Sequence, residues 1–499
     1  MSINPALKHG IRMALCGVLL GLSAPGFNAW WLAWLALIPA LYWTQSEPSL
    51  KRLFWGGFLL GFFFQGTYCL WFFDLHPLTW LGFDELSSRL VTLAGWLLIG
   101  AEGGLLTGLL FLAYRRMENL RWRLIGFPLL WVFMFYLLNL TPMALPWGLL
   151  EYTQAPLASM RWLAATITGS GLTALIILHN TFWAECLRKW QGKWSVKQLA
   201  LGSLILPLLL FGWQHLPEPK QVSAQHWPMP IVIVQANLPI EVIRSGRLTP
   251  AIIEPAYVEP VENLQIPAGS LVIYPEEGVV PGWIQTQYPE RNPMLRRLIR
   301  LAQQKQIYIA VGVSSVDAQL QQYNSILLLS PNQPPQFYHK RRLVPFGEFT
   351  PYGFNEPLTR LLASLHIDYS TPYNAGQEGT VLNAGNIKLG GLICFELIDS
   401  TPFMNGYAMR YRQEGVNLLI NTSNLGWFHQ NPLMEAQFLA IGQLRAAESG
   451  LPLAIASNTG ISAIIASSGK ILIQTRPNHL FPHKTQVIFY NGNTDTAQP

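Results

Sequence analysis

The chain has 499 residues, half of them apolar and only 12% charged, with a formal net charge of +6. Soluble proteins carry roughly 25% charged residues, so an ordinary soluble protein is excluded. The basic residues lie in loops between apolar runs and form no stripe interleaved with aromatics, which excludes a nucleic-acid groove. Three of the four cysteines (Cys16, Cys69 and Cys186) fall in or beside apolar runs, so there is no disulfide framework.

The charge deficit is concentrated in residues 1–214. A helix needs about 20 apolar residues to cross a bilayer. Seven stretches qualify, at about 9–25, 28–45, 53–73, 91–114, 124–143, 163–187 and 198–214. The first two come from one uncharged run, Met13–Ser46, which is too long for a single span. The turn signal Pro25-Gly26-Phe27-Asn28 divides it. Lys8 and Arg12 ahead of an apolar stretch also fit a cleaved signal peptide, but the spans that follow favour a retained helix. One alternate set of loops holds twelve basic residues, from Lys8 and Arg12 to Lys193 and Lys197; the other holds two, Arg89 and Arg161. The positive-inside rule then places the N-terminus in the cytoplasm, and an odd number of spans places everything after Gln214 outside. No further apolar run is long enough to re-enter, so the chain is expected to end outside.

Within the spans, Gly57/Gly61 and Gly104/Gly108 have the spacing of close helix packing. Glu102 reads either as a functional carboxylate or as a group in a polar cavity or ion pair. His179 and Asn180 read as interfacial or packing groups.

Residues 215–228, with Pro217, Pro219 and Pro228, read as a linker between a transmembrane helical bundle (1–214) and a second domain (229–499). In that domain short β-branched runs recur, among them Ile231–Gln235, Leu271–Tyr274, Ile307–Val313, Ile387–Ile393 and Val416–Ile420. Helical patterns at Leu295–Gln304 and Leu433–Glu448 lie between some of them. This pattern predicts an α/β domain with sheets covered on both sides, in which sites gather beyond the carboxyl ends of strands.

Three polar groups stand at such ends. Leu271–Tyr274 runs into Pro275-Glu276-Glu277, Phe337-Tyr338-His339 into Lys340, and Leu389–Ile393 into Cys394. Taken alone, Cys394 is either a small buried hydrophobe or a nucleophile presented where a strand stops. A carboxylate, an amine and a thiol together suffice for covalent acyl transfer. The carboxylate removes the thiol proton, the thiol attacks a carbonyl, and the ammonium stabilises the oxyanion.

Tyr274-Pro275-Glu276, Tyr338-His339-Lys340 with Leu343-Val344-Pro345-Phe346-Gly347-Glu348, and Cys394-Phe395-Glu396 resemble the Glu–Lys–Cys set of the nitrilase superfamily. With the preceding spans, Pro146-Trp147, Asn421-Thr422-Ser423-Asn424, Leu444-Arg445-Ala446-Ala447-Glu448 and Ala456–Ala463, the chain resembles the bacterial apolipoprotein N-acyltransferases along nearly its whole length. The resemblance implies a multi-pass protein of the bacterial cytoplasmic membrane with an αββα nitrilase-like (carbon-nitrogen hydrolase) domain on the outer face. It implies transfer of an acyl chain from a phospholipid, through a cysteine thioester, to the α-amino group of a lipoprotein's N-terminal diacylglyceryl-cysteine. By the same resemblance Glu276 is the general base, Lys340 stabilises the tetrahedral intermediate and Cys394 is the nucleophile. Glu348 orients Lys340 or the base, and Glu396 supports the site. No metal or organic cofactor is implied.

The chain departs from the family pattern at several positions. Phe395 stands where Tyr is common, Leu425 where Asp follows Asn424, and Ala436-Gln437 where a Gln-His pair is expected. Phe135 and Leu138 replace a Glu and an Arg, a Trp is replaced near Arg244, and an eighth span is absent. These departures bear on lipid handling and spare the three chemical residues. The segment Leu343–Gly376 reads either as a lid lying against the membrane or as a structured loop, with apolar residues at near-helical spacing over Pro357–His366. Two alternatives remain at this stage: a membrane-tethered nitrilase-type amidase with water as acceptor, and a non-catalytic membrane scaffold.

Overall fold

A computed structural model of the chain describes residues 4–141, 145–189, 227–244, 248–351, 373–377, 379–399, 406–476 and 484–491, together with 202, 212, 246, 356–357 and 359–360. The first half is helical, with α1 (Pro5–Gly21), α2 (Leu37–Ser46), α3 (Leu50–Tyr68), α4 (Glu85–Arg116), α5 (Phe127–Asn139) and α6 (Ala158–Lys189). Helix starts carry side-chain caps where the sequence supplies them: Ser49 accepts from the Arg52 N–H and Asp84 from the Ser87 N–H. Among the described residues, three regions are long and apolar enough to cross a membrane: Glu85–Arg116, Trp122–Asn139 and Ala158–Lys189.

The expected span at 28–45 is not one helix. A 3₁₀ turn, Trp30–Trp34, precedes the ten-residue α2. Pro39 in the first turn of α2 has no N–H, and its ring would clash with the carbonyl four residues back, so a helix cannot run straight through Leu35. Asn180 of α6 covers the break: its Oδ1 accepts from the Leu37 N–H at 3.2 Å and its Nδ2 donates to the Ala33 carbonyl at 2.9 Å. Asn180 is thus a packing group with a definite partner. The stretch 198–214 lies outside the described residues apart from positions 202 and 212, as does nearly all of the 215–228 linker.

Helices α3 and α4 touch along their glycines. A Cβ at Gly61 would lie 2.2 Å from the Gly103 carbonyl oxygen, and one at Gly57 would lie 3.0 Å from the Gly108 Cα. The GxxxG spacing is therefore a close helix crossing.

The second half is two stacked sheets. The first has the order β13-β1-β2-β4-β5-β6 with β3 beside β4, and the second the order β12-β11-β10-β9-β8-β7. Their strands are β1 (Ile231–Gln235), β2 (Leu271–Ile273), β3 (Trp283–Gln285), β4 (Tyr308–Val316), β5 (Gln322–Leu329), β6 (Gln336–His339), β7 (Leu382–Ala384), β8 (Ile387–Ile393), β9 (Leu418–Ser423), β10 (Leu453–Ser457), β11 (Ala463–Ile465), β12 (Ile471–Gln474) and β13 (Gln486–Tyr490). Strands β1, β2 and β4 run parallel, as do β8, β9 and β10.

Alternation along the strands builds the layers. Ile231 and Ile233 meet Ile393, Leu418 and Ile420 between the sheets. Val232 and Val234 face outward onto Leu295 and Leu298 of α7 (Pro293–Lys305). On the far side, Leu392, Leu419 and Ile455 pack with Ile441 and Leu444 of α9 (Pro432–Ser449), beside which lies α8 (Tyr407–Gln413). That outer layer shares one continuous apolar core with Trp34, Phe64 and Trp147 of the helical half.

Polar ties mark the two ends of the helical half. At one end Glu47 pairs with Arg52 (2.9 Å), and Arg123 with Glu185 (3.3 Å) and Gln45 (3.2 Å). At the other end the outer half docks. There the Tyr152 hydroxyl donates to the Ile398 carbonyl at 3.3 Å, and the Gly169 N–H, freed by a break at Thr168 (φ 66°), donates to the Glu448 carboxylate. Among the described residues, Arg52, Arg123 and Arg188 of the basic loops thus lie at the end away from the sheets.

Candidate active site

The three strand-end groups converge. Glu276 lies three residues beyond β2, on a loop that presses against β4. A Cβ at Gly312 would lie 2.2 Å from the Glu276 carbonyl oxygen, so only glycine leaves room for the loop. Lys340 is the first residue after β6, and its backbone N–H donates to the Asn324 carbonyl at 2.8 Å. Cys394 follows β8 directly with φ at +46°, a conformation rare outside glycine and enriched at functional sites.

Their side chains form one buried network. The Lys340 ammonium donates to Glu348 Oε1 at 2.9 Å and to Glu276 Oε1 at 3.4 Å. Asn324 Nδ2 donates to both of those oxygens, at 2.8 Å to Glu276 and 2.9 Å to Glu348. The second Glu276 oxygen accepts from the Asn424 backbone N–H at 3.1 Å, and the second Glu348 oxygen from the Val344 N–H at 2.8 Å. Glu348 therefore sits on the lysine, and shares Asn324 and Lys340 with the base as hydrogen-bond partners.

Glu396 has a different place. Its carboxylate accepts from the Arg341 N–H (2.7 Å), the Arg342 N–H (3.2 Å), the Ile393 N–H (2.8 Å) and the Tyr338 hydroxyl (2.8 Å). It joins the end of β6 to the end of β8, and so fixes Lys340 and Cys394 relative to each other.

Burial sets the protonation states. It raises Glu276 above the ordinary carboxylate range, against the pull of Lys340 and with a further push from Glu348. Burial alone would depress the Lys340 ammonium, but Glu348, Glu276 and Cys394 outweigh it and hold the charge well above the usual lysine value. The Cys394 thiol is pushed up by burial and then by Glu276, with Lys340 and the Asn424 N–H acting the other way. The resting site thus holds a protonated thiol, a charged lysine and a carboxylate of strengthened basicity.

Sequence reasoning missed Asn324. An asparagine in the strand Gln322–Leu329, just before an apolar run, was the available signal. It also missed the rim. Arg244 pairs with Glu277 at 2.7 Å, and its guanidinium lies 5.8 Å and 5.6 Å from the Trp80 and Trp427 rings, which meet edge-to-face at 4.5 Å. Trp80 belongs to the helical half, so both halves build this rim.

The departures fall into separate places. Phe395 is buried under the Arg342 guanidinium, 5.6 Å away, and Leu425 is buried in the turn after Asn424. Phe135 and Leu138 line one cavity of the helical half together with Glu102 and Gln65. In the segment Leu343–Gly376, a tight turn carries Phe346 outward (φ +60°), and Tyr373 packs on Trp283 at 5.7 Å. Most of Pro357–His366 lies outside the described residues.

Comparison with known families places both halves. Residues 16–182 match the family model "Apolipoprotein N-acyltransferase N-terminal domain", and residues 253–480 match "Carbon-nitrogen hydrolase". Both halves are thus similar to the apolipoprotein N-acyltransferases, the first by its own family model and the whole chain by its curated relatives. Apolipoprotein N-acyltransferase of Gloeobacter violaceus is 28% identical over 469 residues, covering 91% of this chain and 83% of that one. Its counterpart in Haemophilus ducreyi is 26% identical over 493 residues, covering 94% and 89%. Among solved structures, a CN-hydrolase superfamily protein of Xanthomonas campestris is 18% identical with a TM-score of 0.36, covering 52% of this chain and 89% of that one. An amidase of Nesterenkonia sp. AN1 is 16% identical with a TM-score of 0.34, covering 53% and 92%.

Proposed function

We propose that this N-acyltransferase works through Cys394, with Glu276 as general base and Lys340 as oxyanion partner. It moves a fatty acyl chain from a phospholipid to the α-amino group of the N-terminal diacylglyceryl-cysteine of an apolipoprotein. In the first half-reaction Glu276 takes the thiol proton while sulfur bonds to the ester carbonyl carbon. The Lys340 ammonium balances the oxyanion. The C–O bond then breaks, and the proton passes from Glu276 to the departing lysophospholipid oxygen. In the second half-reaction the acceptor amine bonds to the thioester carbon and gives its proton to Glu276. The C–S bond breaks and the thiol is restored. A thioester is a good donor to an amine, so the cysteine divides ester-to-amide transfer into two easier steps.

The observation that carries this reading is the buried network itself. A carboxylate whose affinity for protons is raised by burial shares one lysine with Glu348, beside a thiol held at a strained strand end. The shell around it is partly built by the helical half. Support for a membrane setting comes from the three long apolar helices and from Arg52, Arg123 and Arg188 of the basic loops at the far end. With 198–214 as a further span, the bundle crosses seven times, and the catalytic half lies outside the cytoplasm. The helical domain then covers 1–214 and the catalytic domain 229–499. The test is incubation with labelled phospholipid and trapping of the adduct, which the wild type carries on Cys394 and the Cys394→Ala variant lacks.

A further inference from the structure

Gln437 is a residue of the outer half whose fully buried side chain lies inside the helical half. Its Oε1 accepts from the Trp71 indole N–H at 2.9 Å and from the Trp147 indole N–H at 2.7 Å. Its Nε2 donates to the Tyr68 carbonyl at 2.9 Å. Indoles only donate and the carbonyl only accepts, so the amide has one possible orientation, and both lone pairs of its oxygen are used. A neutral histidine, with one acceptor nitrogen, could not take both indoles. This is the position where the chain departs from the Gln-His pair.

The clasped indoles lead to the reacting groups. Trp71 meets Phe428 edge-to-face at 5.0 Å and lies 5.1 Å from Trp147. Phe428 closes the short turn Leu425–Phe428, which is capped by the Asn424 side chain accepting from the Gly426 N–H at 3.1 Å. Asn424 in turn places its own N–H on Glu276 Oε2. The helical half grips the same turn elsewhere: the His429 ring donates to the Asp74 carbonyl at 2.6 Å, and Asn431 donates to the Asp74 carboxylate.

We propose that Gln437 is a positioning residue for the reaction: by clasping Trp71 and Trp147 it seats the helical half against the 425–428 turn, and so holds the Asn424 N–H on Glu276. This rests on the reading of Glu276 as the base. The groups facing Glu276 are Lys340 after β6, Glu348, Glu277, the Arg244 guanidinium, Asn324 of β5, Cys394 after β8 and the Asn424 N–H after β9. Two of these hang on the clasped turn, the Asn424 N–H directly and the Arg244 guanidinium through the Trp427 ring it lies over. When it slackens, the buried carboxylate loses a donor and ionises at higher pH.

The experiment is single-turnover loading of Cys394 from labelled phospholipid, measured across pH with the purified full-length chain in mixed micelles. Gln437→Leu should move the acid limb of the profile up by about one pH unit, the scale of weakening one charge-assisted hydrogen bond. The plateau at high pH should stay within about threefold of wild type, less than the tenfold that one unit of pKa represents. Trp71→Phe keeps the ring on Phe428 and removes one donor, so it should shift the limb in the same direction by less. It decides alone if Gln437→Leu does not fold. An acid limb unmoved in the folded variants overturns the proposal, even if loading is slower. A wild-type chain that carries no label on Cys394 instead overturns the underlying reading of the site.

Discussion

The two halves of the molecule handle buried polarity in opposite ways. The helical half keeps its ion pairs towards its ends, Glu47–Arg52 and Arg123–Glu185 at one and Glu85–Arg89 at the other, and closes its middle by backbone contact between glycines of α3 and α4. The outer half gathers its charges at its centre, where Glu276, Lys340 and Glu348 share one buried network at the ends of strands. A helix satisfies its own backbone, so polar side chains inside the bundle are needed where a helix breaks, as Asn180 is at Ala33–Leu37. Parallel strands leave polar loops at their carboxyl ends, and the fold can bring several of these together. Bulk should therefore damage the first half most, and charge the second.

Lys340→Met is expected to give the largest effect. It removes the cation that balances the oxyanion, and loading of Cys394 should fall by about 10²–10³-fold, the usual scale for one such donor. Rapid-quench measurement of the adduct reads this, and near-normal loading would remove Lys340 from the chemistry. In the helical half Gly61→Leu should be worse than any polar change there. It forces a side chain into the Gly103 carbonyl and should cost about 3 kcal/mol or more. Thermal unfolding in detergent would show it, and an unchanged transition would mean that α3 and α4 do not pack this closely.

Glu396→Gln tests the strut between strands. One face of the new amide presents N–H groups to backbone N–H groups, at a cost of about 2 kcal/mol. Loading should slow, while the acid limb of its pH profile stays in place, because Glu396 does not touch Glu276.

The smallest effect is at Glu435 on α9, whose carboxyl burial pushes up to about 7. A carboxyl raised in the fold stays protonated when the unfolded chain would release its proton. Its stabilising share is therefore complete below pH ~4.5 and is lost as pH rises from there to ~7. Glu435→Gln should raise stability at pH 8 relative to wild type by about 2 kcal/mol, after discounting for its exposed part, and change little at pH 4.5. Equal differences at both pH values would contradict the assignment.

Much of this was legible in the sequence, for reasons that differ by residue. Glu276 and Cys394 stood out because each follows an apolar β-branched run, and Lys340 because it follows Phe337-Tyr338-His339, while unbroken apolar runs along β1 and β2 announced two-sided burial. Residues 28–45 misled because hydropathy registers apolar length, whereas Pro39 acts through one missing N–H and one clash. Asn324 was hidden because an amide inside a strand has meaning only once two carboxylates are brought to it from elsewhere. The Gln437 clasp was hidden for a stronger reason. Its partners lie 366 and 290 residues away in the chain, in the other half.

The central claim is that Cys394 carries the acyl chain. Intact-mass analysis after incubation with a phospholipid of defined acyl chain tests it most directly. The account predicts a mass increase of one acyl group on Cys394, discharged faster by a diacylglyceryl-lipopeptide amine than by water, and absent from Cys394→Ala. A wild-type protein that transfers acyl chains to the lipopeptide with no adduct on Cys394, or a Cys394→Ala variant that transfers equally well, would contradict it.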